Sequence, residues 1–172
     1  LGLFYRNKLG QSGRRNYLNA GLAITNVGSK VTYVKGVVKD FIPTNLAIGA
    51  TYEMNFDDFN SLSITGEINK LLVPTPIQPS DSAYDANHNS YADYREKPLF
   101  EGILGSFNDA PGGFTEELQE LMYNVALEYW YDKQFAVRAG YFHENSLKGD
   151  RKYLTLGLGL KYNIFGMNLS YL

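Results

Sequence analysis

The sequence contains no cysteine, which excludes disulfide frameworks, thiol catalysis and cysteine-ligated metal sites. None of its 172 residues belongs to an apolar run of about eighteen or more, so a transmembrane helix is excluded. The formal net charge is only -2 and no basic patch recurs, so nucleic acid is not an expected partner. An initiator methionine and a signal peptide are also missing, and we therefore expect a segment of a longer protein.

Aromatic residues and glycine, in contrast, are abundant. Fourteen Tyr, ten Phe and one Trp make up 15% of the chain, together with 17 Gly. This mixture favours β-structure with close approaches between backbones. The mean hydropathy of -0.28 and the 20% of charged residues are ordinary for a soluble protein, so composition alone does not identify the surroundings of the strands.

Apolar and polar residues alternate along much of the chain. Between positions 154 and 164 every even position is apolar, whereas the odd positions hold Thr, Gly, Lys and Asn. A period of two predicts β-strands and not helices. The alternation recurs in seven further segments, at 1–6, 18–25, 45–56, 61–69, 121–132, 135–144 and 167–171. We therefore expect about eight strands.

The connections between these strands alternate between short and long. Short links fall at 10–16, 56–59, 131–134 and 163–166, and long links at 27–43, 73–118 and 145–152. If every strand runs antiparallel to its neighbour, all short turns lie on one side of the layer and all long loops on the other. This asymmetry is typical of outer-membrane β-barrels with up-and-down topology.

Soluble β-sandwiches and lipocalin-like barrels also alternate, but three features favour a membrane barrel. The predicted strands of about 10 residues match a tilted crossing of the hydrocarbon layer. Mid-strand charges lie on the glycine-rich face, at Glu53, Glu67, Glu128, Arg138 and Lys161. Aromatic residues lie on the apolar face near the short turns, as in an interfacial belt: Tyr52, Phe56, Tyr129, Tyr131, Phe135 and Tyr162. The sequence thus predicts lipid outside and a narrow polar interior.

Residues 73–116 form the one long irregular stretch and hold five of the six prolines. A loop of this length is usually functional or partly disordered. Within it, His88 beside Asp85 and Asn89 could form a catalytic or metal cluster, but a solvated loop histidine is favoured. The sequence has no Gly-x-Ser-x-Gly elbow, Walker loop or metal-binding histidine pair, so no catalytic, metal or cofactor site is predicted.

The segment from Asn108 to Phe114 differs from the rest of this loop. It combines a carboxylate, a rigid proline, two glycines and an aromatic tip, which favours a shaped turn. An ordinary turn that closes the barrel mouth remains an alternative. Residues 116–122 could begin as a helical turn, but a strand starting at Leu121 is favoured because its alternation is longer.

Several long strings resemble one known family. They are NKLLVPTP at 69–76, SFNDAPGGF at 106–114, EYWYDKQFAVRAGYFHE at 128–144 and KGDRKY at 148–153. Over nearly its whole length the chain resembles the PorV (LptO) family of the type IX secretion system.

The resemblance implies a fourteen-stranded, FadL-like transmembrane β-barrel in the bacterial outer membrane. Residues 1–172 would form a single barrel domain of about eight strands, with 73–118 as a long extracellular loop. The implied function is that of a non-enzymatic carrier or adaptor. Such a carrier binds the C-terminal signal domain of secreted cargo at the giant translocon barrel (Sov or SprA) and delivers it to a PorU-like sortase and attachment complex.

The partner contact itself is predicted from loop shape, because the resemblance supplies no residue-level contact. Aromatic anchors and glycine backbone groups would bind the partner. The predicted contact residues are Phe107, Asn108, Asp109, Ala110, Pro111, Gly112, Gly113 and Phe114.

Two other functions stay open. A FadL-like channel for hydrophobic small molecules would need a continuous apolar path, for which Met122 and Phe142 are the inward-facing apolar residues in its favour. A lipid deacylase, suggested by the LptO name, would need a nucleophile and a base. Only His143 and Ser146 could supply that pair on one rim.

Overall fold

A computed structural model describes residues 1–9, 15–32 and 38–172. The predicted short link at 10–16 and the middle of the predicted long link at 27–43 therefore lie partly outside the described residues. Within the described ranges, no helix is both long enough and apolar enough to cross a membrane.

In the part of the chain that the structure describes, eight antiparallel strands form one sheet, in which spatial order follows chain order. The prediction of an all-β, up-and-down antiparallel fold is confirmed, and the sheet is consistent with a segment of a β-barrel. Five strands have ten or more residues, the length of a tilted crossing. The strands are β1 (Gly2–Leu9), β2 (Asn16–Thr25), β3 (Asn45–Asn55), β4 (Asn60–Leu71), β5 (Met122–Tyr131), β6 (Phe135–His143), β7 (Lys152–Tyr162) and β8 (Phe165–Tyr171).

The chain divides into two compact units. The sheet unit consists of Gly2–Ala23, Ala47–Asn69 and Met122–Leu172, and the loop unit of Leu1, Ile24–Leu46 and Lys70–Leu121. Each unit buries few apolar side chains among its described residues. They are Met122 and Ala136 in the sheet unit, and Leu72, Ala92 and Ala110 in the loop unit.

The sheet unit exposes its apolar face and places small and polar residues on the other. In β7, Leu154, Leu156 and Leu158 are 71%, 61% and 57% exposed. The intervening Gly157 and Gly159 leave room for the Arg138 side chain, since a Cβ on Gly157 would lie 3.3 Å from Arg138 Cβ and one on Gly159 would lie 3.0 Å from Arg138 Nη1. Each Å² of apolar surface left in water forgoes about 25 cal/mol, so this face is suited to an apolar medium such as lipid.

The short turns lie at one end of the sheet, because β3, β5 and β7 each precede one and neighbouring strands are antiparallel. Asp132 and Lys133 have φ angles of 52° and 55°, as a type I′ hairpin turn requires. Strand β7 ends two residues earlier than the alternation predicted, because Asn163 has a φ of 52° and begins the next turn. The aromatic residues predicted to form a belt are all exposed: Tyr52, Phe56, Tyr129, Tyr131, Phe135 and Tyr162.

The loop unit contains three short helices within the link that the sequence predicted to be irregular. They are α1 (Asp93–Glu96), α2 (Leu99–Gly105) and α3 (Phe114–Gln119). Helix α3 begins before the helical turn considered at 116–122, and β5 begins one residue after the predicted Leu121. The sequence favoured the strand because alternation is a stronger signal than one short helical turn.

Lys30 connects two distant parts of the loop unit. Its Nζ donates hydrogen bonds to the carbonyl oxygens of Arg95 (2.6 Å) and Lys97 (2.9 Å), which lie at the end of α1 and otherwise have no helical partner. The ammonium group also lies 4.7 Å from the ring centroid of Phe41. Burial of the charged group lowers the pKa of Lys30.

Candidate partner-binding site

The predicted contact segment Phe107–Phe114 connects α2 to α3. Its aromatic ends are exposed, Phe107 by 49% and Phe114 by 76%. Ala110 is buried at its centre, Asp109 is half-buried, and the remaining residues, Asn108, Pro111, Gly112 and Gly113, are exposed. The segment is thus anchored in the middle and presents an aromatic ring at each end.

Two carboxylates of α3 hold the turn that precedes the helix. Glu117 Oε1 accepts the backbone N–H groups of Asp109 (2.8 Å) and Ala110 (3.0 Å), and Glu116 Oε2 accepts that of Gly112 (2.6 Å). These contacts satisfy amides that would otherwise be unpaired near a helix N-terminus. Gly113, with a φ of 66°, adopts a conformation that other residues reach only with strain.

A buried ion cluster holds α3 to the end of β4. Lys70 Nζ lies 2.9 Å from Glu117 Oε2 and 2.7 Å from Glu120 Oε2. The side chains of Lys70 and Glu117 are each only 7% exposed. Since removing one partner of such a pair leaves an uncompensated buried charge, the pair strongly favours a single position of α3.

The ion cluster extends to the contact segment through Thr75 and Asp109. Thr75 Oγ1 lies 2.7 Å from Glu120 Oε1 and 3.0 Å from Asp109 Oδ1, and Lys97 Nζ lies 3.4 Å from Asp109 Oδ2. Two cations therefore meet three carboxylates. We define the ion cluster as Lys70, Thr75, Lys97, Asp109, Glu117 and Glu120.

Sequence reasoning identified Asp109 but missed the other members of this cluster. One signal was present: Lys70 follows Ile64 and Ile68 on the apolar face of β4, where a charge requires a partner. The partner Glu117 lies 47 residues further along the chain, so no local pattern could identify it.

Each of the two helices that flank the segment exposes an apolar face. Phe100 and Leu104 in α2 are 75% and 71% exposed, and Phe114 and Leu118 in α3 are 76% and 46% exposed. Both pairs have the i, i+4 spacing that places side chains on one helix face. The opposite face of α2 packs inward at Gly102, where a Cβ would lie 2.4 Å from Phe41 Cε1.

The inward face of the sheet unit carries polar pairs between strands. Arg138 bonds Glu128 through Nε, and its Nη1 lies 2.8 Å from Asn168 Oδ1. Arg6 Nη2 lies 3.1 Å from Glu53 Oε2. The same face also carries aromatic side chains: the rings of Phe142 and Tyr153 are stacked with their centroids 4.8 Å apart. One ion pair joins the neighbouring strands β5 and β6 and the other joins β1 to β3, so both place charges on the face that a hydrophobic channel would need to be apolar.

Residues 7–78 match the family model described as type IX secretion system protein PorV. The match confirms the PorV resemblance. It runs from within β1 to the start of the long loop, which is less than half of the chain. A comparison with curated proteins found no match.

PorV-family proteins belong to the outer-membrane type IX secretion machinery, and over residues 7–78 this chain is similar to that family. The family is not known for enzymatic activity. The matched range includes Lys70 and Thr75 of the ion cluster but ends before the contact segment Phe107–Phe114. The partner contact of this PorV-like chain therefore remains a prediction from its structure.

The two histidines considered in the sequence lie apart. His88 is exposed with a φ of 59°, in agreement with a solvated loop histidine. His143 lies at the end of β6, with its ring 6.3 Å from that of Tyr141, and forms no hydrogen bond with Ser146, which is exposed. Across residues 1–9, 15–32 and 38–172, no three His, Asp or Glu side chains gather closely enough to hold a metal by themselves.

The link from β6 to β7 has its own ion pair. Arg151 binds both carboxylate oxygens of Glu144, at 2.7 Å from Nε and 2.9 Å from Nη2. The side-chain hydrogen bonds from Arg151 lower the pKa of the Glu144 carboxyl, and the same contact raises the pKa of Arg151. Such a two-point contact fixes orientation as well as distance.

Proposed function

We propose that this PorV-family chain is part of an outer-membrane carrier that binds the C-terminal signal domain of secreted proteins at the translocon and delivers them to the sortase and attachment complex. The proposal rests on the contact segment Phe107–Phe114. Its two exposed aromatic rings are separated by a turn that the carboxylates of Glu116 and Glu117 hold.

A held turn is suited to binding because little conformational entropy remains to be lost. Association costs about 0.5–1.5 kcal/mol for each flexible side chain that becomes ordered. Here the backbone of Asp109 and Ala110 is already fixed by Glu117, which Lys70 fixes in turn. Exposed aromatic anchors next to such a turn are typical of the residues that contribute most to protein interfaces.

The same proposal predicts what surrounds the sheet and the long loop. The apolar face of the sheet unit would contact outer-membrane lipid. The loop 73–118 would face the cell exterior, where the translocon barrel, cargo domains and the PorU-like sortase complex could meet it. The polar pairs Arg138–Glu128 and Arg6–Glu53 favour the carrier over a FadL-like channel, because a passing apolar molecule would have to displace them.

A pull-down in mild detergent of the full-length protein from its native outer membrane, with mass spectrometry of the recovered proteins, tests this function. Wild type is compared with a version in which 106–114 is replaced by Gly-Ser, and with the double variant Phe107→Ala and Phe114→Ala. The matched control is Leu147→Ala, which removes a side chain that is also 76% exposed but lies in another loop.

The carrier proposal expects a giant translocon subunit, a sortase or proteins with a common C-terminal domain in the wild-type sample. Their recovery should fall severalfold in the loop replacement and in the double alanine variant, and should not change in Leu147→Ala. Recovery of the barrel alone with bound lipid, unaffected by the loop replacement, would instead support the channel.

A further inference from the structure

Oxygen-bearing side chains recur at fixed intervals in the segment DANHNSYADYRE at 85–96. An EF-hand calcium loop has twelve residues and takes side-chain ligands from positions 1, 3, 5, 9 and 12. Counted from Asp85, those positions hold Asp85, Asn87, Asn89, Asp93 and Glu96. All five residue types suit this pattern, in which position 12 is a glutamate and positions 3 and 5 are aspartate or asparagine.

The backbone of this segment follows the same pattern. Position 6 of an EF-hand loop is normally glycine because the chain turns sharply there, and the residue at that position, Ser90, has a φ of 71°. Asp85 Oδ1 accepts the N–H of Asn89 and Oδ2 that of Ser90, both at 2.9 Å. The chain thus folds back around its first carboxylate, and α1 begins at position 9.

Positions 3, 5 and 12 converge. Asn87 Nδ2 lies 2.9 Å from Glu96 Oε2, and Asn89 Nδ2 lies 2.9 Å from Oε1 and 3.0 Å from Oε2. Asn87 Oδ1 and Asn89 Oδ1 accept the N–H groups of Asn89 (3.0 Å) and Tyr91 (2.8 Å). Each amide would therefore exchange that bond for a metal contact when it turns by half a rotation and directs Oδ1 towards a cation beside the Glu96 carboxylate.

Asp93 supplies an observation that does not depend on this spacing. Its Oδ2 accepts the N–H of Ala86 at 3.1 Å, so the carboxylate points into the loop. Its other oxygen, Oδ1, is buried and has no hydrogen-bond partner. Because burying an unpaired carboxylate oxygen is costly, such an atom indicates a ligand, and a cation is the ligand that a carboxylate prefers.

We propose that residues 85–96 bind one Ca²⁺ ion through these five side chains and the backbone carbonyl of Tyr91 at position 7. Two amides and a backbone carbonyl complete a set that the three carboxylates do not form alone. A flexible set of six or more oxygens with a bidentate glutamate suits Ca²⁺ better than Mg²⁺, which demands a small octahedral site. His88 is not a ligand, because it lies at position 4 and is exposed.

The ends of the loop are held in a way that keeps the ligand positions together. The N–H of Asp93 donates to the carbonyl of Tyr84 at 2.8 Å, and the rings of Tyr84 and Tyr94 meet edge to face at 6.4 Å. We therefore expect a dissociation constant between about 10⁻⁵ and 10⁻³ M, within the range of sensor and extracellular calcium sites.

Isothermal titration of the full-length protein in detergent, after removal of metal with a chelator, tests the site with CaCl₂ and MgCl₂. Glu96→Gln removes the bidentate carboxylate and should weaken Ca²⁺ binding by about tenfold or more. Glu101→Gln is the matched control, since Glu101 is exposed in α2 outside the loop, and it should bind Ca²⁺ as wild type does.

Limited proteolysis of the wild-type protein provides a second measurement that does not depend on the folding of a variant. Ca²⁺ should slow tryptic cleavage after Arg95, which lies inside the loop, severalfold, and Mg²⁺ at the same concentration should not. Absence of saturable Ca²⁺ binding up to several times the weakest expected constant, equal binding by Glu96→Gln, or equal protection by Mg²⁺ would overturn the proposal.

Discussion

The sheet unit and the loop unit use ion pairs in opposite surroundings. In the sheet unit the pairs Arg138–Glu128 and Arg6–Glu53 retain side-chain exposures between 25% and 47%, and the large apolar residues face outward. In the loop unit Lys70 and Glu117 are almost completely buried, and apolar side chains are exposed on short helices. The contrast indicates that charge fixes the shape of the loop unit, whereas backbone pairing fixes that of the sheet.

Removing Lys70 should produce the largest effect. Lys70→Ala leaves Glu117 and Glu120 without their shared cation, which destabilises the loop unit by about 3–5 kcal/mol. Hydrogen exchange followed peptide by peptide should show faster exchange at residues 106–120 and little change in β5 to β7. Arg6→Ala is the matched control in the sheet unit and should cost about 1 kcal/mol or less. Equal losses in the two variants would remove the distinction between the units.

Adding a methyl group on the closely packed face of α2 should have a smaller effect. In Gly102→Ala the new Cβ meets Phe41 at 2.4 Å, and overpacking of this kind costs about 1–3 kcal/mol. Gly105→Ala in the same helix meets nothing within 4 Å and should be neutral or slightly stabilising. Thermal unfolding of the two variants in the same detergent distinguishes them, and a Gly105→Ala loss as large as that of Gly102→Ala would contradict the packing explanation.

The ion pair Glu144–Arg151 should make the link between β6 and β7 sensitive to acid. The pKa of Glu144 is lowered in the folded state, so its contribution to stability is present above the unfolded pKa of about 4.3 and is lost as the pH falls through the folded value. Because Arg151 is 59% exposed, we expect less than about 1 kcal/mol. Local exchange at 144–151 should accelerate in acid, and Glu144→Gln should remove that pH dependence.

The smallest expected effect is none at all, and it concerns the two residues that a lipid deacylase would need. The double variant His143→Ala and Ser146→Ala should leave lipid A acylation unchanged, because the two side chains share no hydrogen bond and the imidazole lies against Tyr141. Mass spectrometry of lipid A from cells carrying the variant provides the measurement. Altered acylation would reopen the deacylase alternative.

The sheet could be predicted from the sequence because the residue types along each strand alternate between an apolar face and a polar face. The alternation in 154–164 and the glycines opposite the leucines were sufficient to predict β7 to within two residues. The contact segment was predicted for its turn residues. In the structure its ends are exposed and its centre is held, and its contact with a partner stays a prediction.

The loop unit was harder to predict because its contacts join distant residues. Lys70 and Glu117 are 47 residues apart, and α1, α2 and α3 have only four, seven and six residues, too few for a clear helical period. The residues of the proposed calcium site are Asp, Asn and Glu spread over positions 85–96, and His88, the residue in this stretch that the sequence singled out, is not among them.

The Lys30 contact also bears on how the long loop tolerates changes in length. Its ammonium group binds the carbonyl oxygens of residues that lie 65 and 67 positions further along the chain. The entropic cost of closing so long a loop rises by only about 0.6 kcal/mol for each doubling of its length. Residues 78–83 within that loop are all exposed. Insertions and deletions there should therefore leave α1 anchored, so this stretch is a suitable place for an affinity tag or a fluorescent label.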